Sequence, residues 1–80
     1  MFKNKNADGT LNLCGGKIVE LRKEKRLSQR ALADQMQLAG MDLNKNAIQQ
    51  MESGRRFVTD IELKAFAKFF GVTMDELAGK

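Results

Sequence analysis

The 80 residues read as one all-α domain of five helices. Three features lead there. Apolar residues recur at helical spacing over most of the chain, no stretch alternates apolar and polar residues for the length of a strand, and Ser28, Asn44, Thr59 and Thr73 each stand where a helix N-cap belongs. A chain of this length supports a single hydrophobic core. The domain is accordingly expected over residues 14–80, with residues 1–13 as a flexible N-terminal segment.

That segment is rich in Asn, Lys and small residues, and Asp8-Gly9 is a turn signal. Leu11 and Leu13 are placed to tack its end onto the core. Lys3 and Lys5 give it a basic tip, read as a disordered tail in preference to an arm that enters a DNA groove. After Gly15-Gly16, Ile18 and Leu21 at helical spacing define helix one over residues 17–25, with Cys14 as a small apolar filler beside the glycines. Ser28 caps helix two, which turns Leu32, Ala33 and Met36 to one face and Arg30, Asp34 and Gln35 to the others, while Leu27 packs back onto it.

The pattern breaks around Gly40. Asn44 then caps helix three, with Ala47, Ile48 and Met51 on its apolar side, and Gly54 supplies the left-handed stop. Thr59 and Glu62 form a capping box for helix four, whose stripe is Leu63, Phe66, Ala67 and Phe70, and Gly71 closes it. Thr73 and Glu76 repeat the box for a short helix five carrying Leu77. Phe66, Phe69 and Phe70 are core candidates. Phe57, Phe69, Met74 and Leu77 together exceed what a small core hides, so they are candidates for a dimer surface.

Composition narrows function. With one cysteine and no histidine, an internal disulfide, a cysteine cage for metal and the usual nucleophilic triads lack their parts, so neither an enzyme nor a metal or other cofactor is expected. The Gly15-Gly16 pair lacks the rest of a phosphate-loop fingerprint. No apolar run approaches the ~20 residues of a membrane helix, and no secretory signal is visible, so a soluble, cytoplasmic protein is expected. The net charge is +4, and it is unevenly placed: residues 1–56 hold eleven basic and six acidic side chains (+5), residues 57–80 three and four (−1). A basic excess in the first three quarters suits a nucleic-acid footprint, and equally a solvated surface.

Helix three carries the strongest chemical signal. Burying Ala47, Ile48 and Met51 turns Lys45, Asn46, Gln49 and Gln50 outward. Asn and Gln can bond bidentately to adenine N6 and N7, and Lys can reach guanine O6 and N7, so this face can read base edges in a major groove; the same amides also serve as tolerated surface. Arg55 and Arg56 follow Gly54, a natural place for phosphate contacts. Gln29 lies in the first turn of helix two, where free N–H groups and the helix dipole favour a phosphate.

Residues 17–78, about three quarters of the chain, resemble the phage-repressor and Cro type of helix-turn-helix domain, also called the Xre type. The likeness is carried by Leu21-Arg22, Leu27-Ser28-Gln29, Leu32-Ala33, Ile48 with Glu52 four residues on, Ser53-Gly54, and the stretch from Ala67 to Leu77 with its Gly71-Val72-Thr73 turn. It implies a compact five-helix, lambda-repressor-like fold. It also implies that Gln29 binds phosphate and buttresses the reading helix, and that Lys45, Asn46 and Gln50 face bases with Gln49 nearby. Asn44, Ser53 and Arg55 would contact phosphates, and Arg22 with Glu52 would form a structural, partly buried ion pair. Two departures stand out. The spacing from Leu32 to Ile48 is about five residues longer than usual, the excess lying in residues 37–43, so either helix two is extended or the turn enlarged. Val58 stands where a proline is common.

The expected function is a transcriptional regulator, in the first place a repressor, that binds double-stranded DNA as a homodimer with helix three in the major groove. If these residues stand alone, regulation comes from abundance, a protein partner or degradation. The alternative is an antitoxin or anti-regulator acting mainly on a protein partner, and an antitoxin that represses its own operon would satisfy both.

Overall fold

The computed structural model describes residues 5–79, so Lys3 lies outside the described residues. Five helices follow one another: α1 (Gly15–Glu24), α2 (Gln29–Leu38), α3 (Lys45–Glu52), α4 (Asp60–Phe70) and α5 (Met74–Leu77). No strand occurs among the described residues. None of these helices is long and apolar enough to cross a membrane.

Four helices begin on side-chain caps. Ser28 Oγ accepts from the Ala31 N–H and Asn44 Oδ1 from that of Ala47. Thr59 with Glu62, and Thr73 with Glu76, make reciprocal capping boxes. Each cap satisfies N–H groups that the first helical turn leaves without a partner.

Helix α1 departs from expectation by starting at Gly15 rather than residue 17. Cys14 at its N-cap offers no side-chain bond. The Gly15 N–H is instead taken by Asn12 Oδ1 at 2.8 Å. A Cβ on Gly15 would stand 2.6 Å from the Met51 carbonyl oxygen, so the glycine is there to let α1 approach the end of α3. The far end of α1 also closes without a glycine. Arg26 takes the left-handed conformation (φ 57°), its N–H bonds the Lys23 carbonyl, and the Leu27 N–H bonds that of Arg22. This is a Schellman turn with arginine where glycine is usual, and it aims the chain into the Ser28 cap.

Between α2 and α3 the turn is enlarged and α2 is not extended: α2 stops at Leu38 and residues 39–44 form the link. Gly40 (φ 90°) closes a second Schellman turn, with the Met41 N–H bonding the Met36 carbonyl. Gln37 Nε2 then donates to the Leu43 carbonyl at 2.8 Å, and the Leu43 side chain, 1% exposed, enters the core. The extra residues therefore form a pinned loop with an anchor of its own.

The core comprises Ile18, Leu32, Ala33, Met36, Leu43, Ile48, Met51, Phe66, Ala67, Phe70 and Leu77, with Cys14 at its edge. Burial pushes the Cys14 thiol up from its ordinary value. Leu77 is fully buried and so is unavailable to a dimer surface, and Phe69 is half-buried, its ring set edge-on to Phe70 with centroids 5.1 Å apart. Phe57 and Met74 remain exposed. Leu13, expected to hold the lead-in to the core, is 64% exposed. The lead-in is held instead by the Leu11 N–H, which bonds the Gly54 carbonyl at 2.8 Å, and by the Asn12 side chain, which bonds the Met51 and Arg56 carbonyls.

Candidate nucleic-acid interface

Helix α3 buries Ile48 and Met51 and half-buries Ala47, which leaves Lys45, Asn46, Gln49 and Gln50 exposed along the opposite side. This follows from helical geometry, since residues three and four apart share a face and the apolar ones occupy one stripe. The exposed side presents an ammonium group and three amides, each amide with a donor and an acceptor.

At its C-terminal end α3 is held by Glu52, whose side chain is 5% exposed. Arg22 Nε donates to Glu52 Oε2 at 2.7 Å and Arg22 Nη2 to Oε1 at 3.1 Å, while Arg22 Nη1 reaches the Leu27 carbonyl at 2.9 Å. Gln29 Nε2 donates to Glu52 Oε1 at 3.0 Å. One carboxylate thus joins α1, the start of α2 and the end of α3. The bidentate fork is what makes such a pair tolerable away from water.

Beyond Glu52 the chain turns at Gly54 (φ 77°), and the Arg55 N–H bonds the Gln50 carbonyl at 2.9 Å. The Arg55 side chain is exposed; Ser53 is exposed too, with its hydroxyl donating back to the Gln50 carbonyl at 3.2 Å. Arg56, grouped with Arg55 from sequence as a phosphate contact, is placed differently. Its Nη1 and Nη2 donate to the two Glu62 oxygens at 3.0 and 3.2 Å, and Nη1 also reaches the Phe57 carbonyl. Burial raises the Glu62 carboxyl, but bonds from Arg56 and from the Thr59 N–H outweigh it and leave it below its ordinary value. Arg56 is therefore engaged in fixing the start of α4 after a loop that has Val58 in place of a proline.

The structure thus gathers Lys45, Asn46, Gln49 and Gln50 on one helix face. Its N-cap Asn44 stands at one end of that helix, with Ser53 and Arg55 just beyond the other, while Gln29 touches the same end through Glu52. It leaves Arg56 turned towards α4. Asn12 went unnoticed in the sequence, although an Asn just ahead of a glycine-led helix is a capping signal. Its Nδ2 donates to the Met51 carbonyl at 3.0 Å and to the Arg56 carbonyl at 2.8 Å, while its Oδ1 receives Gly15.

Comparison with known proteins bears on this arrangement. A helix-turn-helix family model matches residues 18–77. The HTH-type transcriptional activator BcrR of Enterococcus faecalis is 39% identical over 61 residues, which cover 76% of this chain and 28% of that protein. The chain thus spans little more than a quarter of the length of that curated relative. Among solved structures, the crystal structure of the DNA-binding domain of BldD superposes with a TM-score of 0.67 at 29% identity, covering 82% of this chain and 89% of that one.

Proposed function

Since the chain belongs to the helix-turn-helix family of DNA-binding transcriptional regulators, of the phage-repressor and Cro (Xre) type, we propose that it reads a specific operator by laying α3 in the major groove. The observation that carries this is the exposed face of α3, where Lys45, Asn46, Gln49 and Gln50 combine with the exposed Arg55 just past the helix end. Amide and ammonium groups on one helix face match the donor and acceptor code of base edges. Asn44, Ser53 and Arg55 would hold phosphates on either side, and Gln29 would join them from the first turn of α2.

Binding is proposed as a homodimer, with half-sites about one helical turn or ~34 Å apart. Repression is the favoured outcome because occupancy of an operator excludes other proteins without further contacts, whereas activation needs an additional surface for the transcription machinery. BcrR is named an activator, so the sign of regulation is a property to be measured. The role is one of binding in the cytoplasm, with no catalytic step and no cofactor.

The test is a selection from random duplex DNA on the purified protein at physiological salt, followed by titration of the best site against a scrambled control. A palindrome bound at least roughly a thousandfold more tightly than the control is the expected result. Weak, sequence-blind binding would overturn the proposal in favour of a protein partner, as for an antitoxin or anti-regulator.

A further inference from the structure

Residues 6–12 form a small loop knit by its own side chains. Asn6 Nδ2 donates to Thr10 Oγ1 and to the Asn12 carbonyl, both at 2.8 Å, and Asp8 Oδ1 receives the Thr10 hydroxyl at 2.7 Å. The loop presses on the turn that ends α3. A Cβ on Gly54 would meet Thr10 Cγ2 at 2.6 Å, the Leu11 N–H bonds the Gly54 carbonyl, and Asn12 reaches inward beside it.

Asn12 is the centre of this contact. Its two amide hydrogens serve two carbonyls on either side of the Gly54 turn, Met51 in the last turn of α3 and Arg56 beyond it. Its oxygen takes the first N–H of α1. The orientation of the amide is fixed by this set, because turning it over would set an oxygen against two carbonyls. Arg55 lies between the two bridged carbonyls, on the segment whose course they define.

We propose that Asn12 is a positioning residue for DNA binding: by bracing the Met51 and Arg56 carbonyls it sets the path of the chain out of α3 and so aims Arg55 at a phosphate. The proposal rests on the DNA-reading role of α3 given above. It assigns a supporting role in binding to residues 6–12, ahead of α1.

The test uses the full chain and two neutral variants, so that no change in charge enters the salt dependence. Asn12→Ala removes all three bonds. Asn12→Ser keeps an oxygen for the Gly15 N–H while losing the NH2 group, and so separates the brace from the cap. Each is titrated with the selected duplex over a range of salt, alone and combined with Arg55→Ala, with helicity followed by circular dichroism. Both variants are expected to lower the slope of log affinity against log salt by about one, as Arg55→Ala does, and to cause no further loss in the Arg55→Ala background. Simple destabilisation would lower the folded fraction and leave the slope alone. A wild-type slope in Asn12→Ser, or losses that multiply with those of Arg55→Ala, would overturn the role of Asn12. Wild-type protein that selects no duplex would instead overturn the DNA reading itself, and this proposal with it.

Discussion

Glu52 shows how much of the site depends on single side chains. It is nearly inaccessible, and it receives two bonds from Arg22 and one from Gln29. Removing one partner of a buried pair strands the other charge, so Glu52→Ala should cost about 3 kcal/mol of stability by urea unfolding. Replacing Arg22 and Glu52 together by leucine should cost much less; a loss in the double variant equal to the sum of the two single losses would show that the charges do not act as a pair. Gln50 is the opposite case, exposed and outside the core. Gln50→Ala should leave stability within about 0.5 kcal/mol, while weakening binding to the selected duplex by about 1 to 3 kcal/mol and sparing the scrambled control. A loss of the same size on both duplexes would remove Gln50 from base reading. The role of Gln50 is legible in sequence because exposure on an amphipathic helix follows from spacing. The convergence of Arg22, Gln29 and Glu52 from three helices is not: family likeness implied the pairing of Arg22 with Glu52, and the bond from Gln29 to the same carboxylate came into view only in the packed structure.

At the scale of the element, caps are local and were readable, whereas close approaches between elements were not. Ser28, Asn44, Thr59 and Thr73 act within three residues of themselves, and each caps the helix expected of it. Sequence places the start of helix one after the Gly15-Gly16 pair, at residue 17, since glycine disfavours helix interiors. Both residues open α1, for different reasons. Gly15 lies against the Met51 and Glu52 carbonyls, and Gly16 faces open space. Gly15→Ala should therefore destabilise by more than 1 kcal/mol, since backbone on both sides must shift. Gly16→Ala should stabilise by about 0.5 to 1 kcal/mol through helix propensity and a less flexible unfolded chain. Thermal unfolding of the two variants decides it; similar effects of the same sign would mean that the contact with α3 does not constrain α1. The end of α1 at Arg26 was equally hidden, because its left-handed turn carries no glycine to announce it.

For the molecule as a whole, one core joins all five helices, so loss of any one tie should be felt as a single cooperative transition. Acid unfolding tests this. The Glu62 carboxyl lies below its ordinary value of 4.5 in the folded chain, with burial opposing the shift and Arg56 and Thr59 prevailing. A depressed carboxyl contributes stability above its unfolded pKa and loses it as pH falls through the folded value. Stability should thus be level above about pH 5 and decline below 4.5, and Glu62→Gln should flatten the decline. With no Trp or Tyr in the chain, far-ultraviolet circular dichroism is the suitable probe. A variant that declines as steeply as wild type would put the acid sensitivity elsewhere. The number of helices, their order, four of their caps and the outward face of α3 were determined by the sequence itself, because these depend on periodicity and on contacts within a few residues. Tertiary structure alone decided that Leu43 anchors an enlarged turn, that Arg56 faces Glu62, and that residues 6–12 brace the end of α3. Those depend on which distant backbone groups come within reach of a side chain, and only the packed core sets those distances.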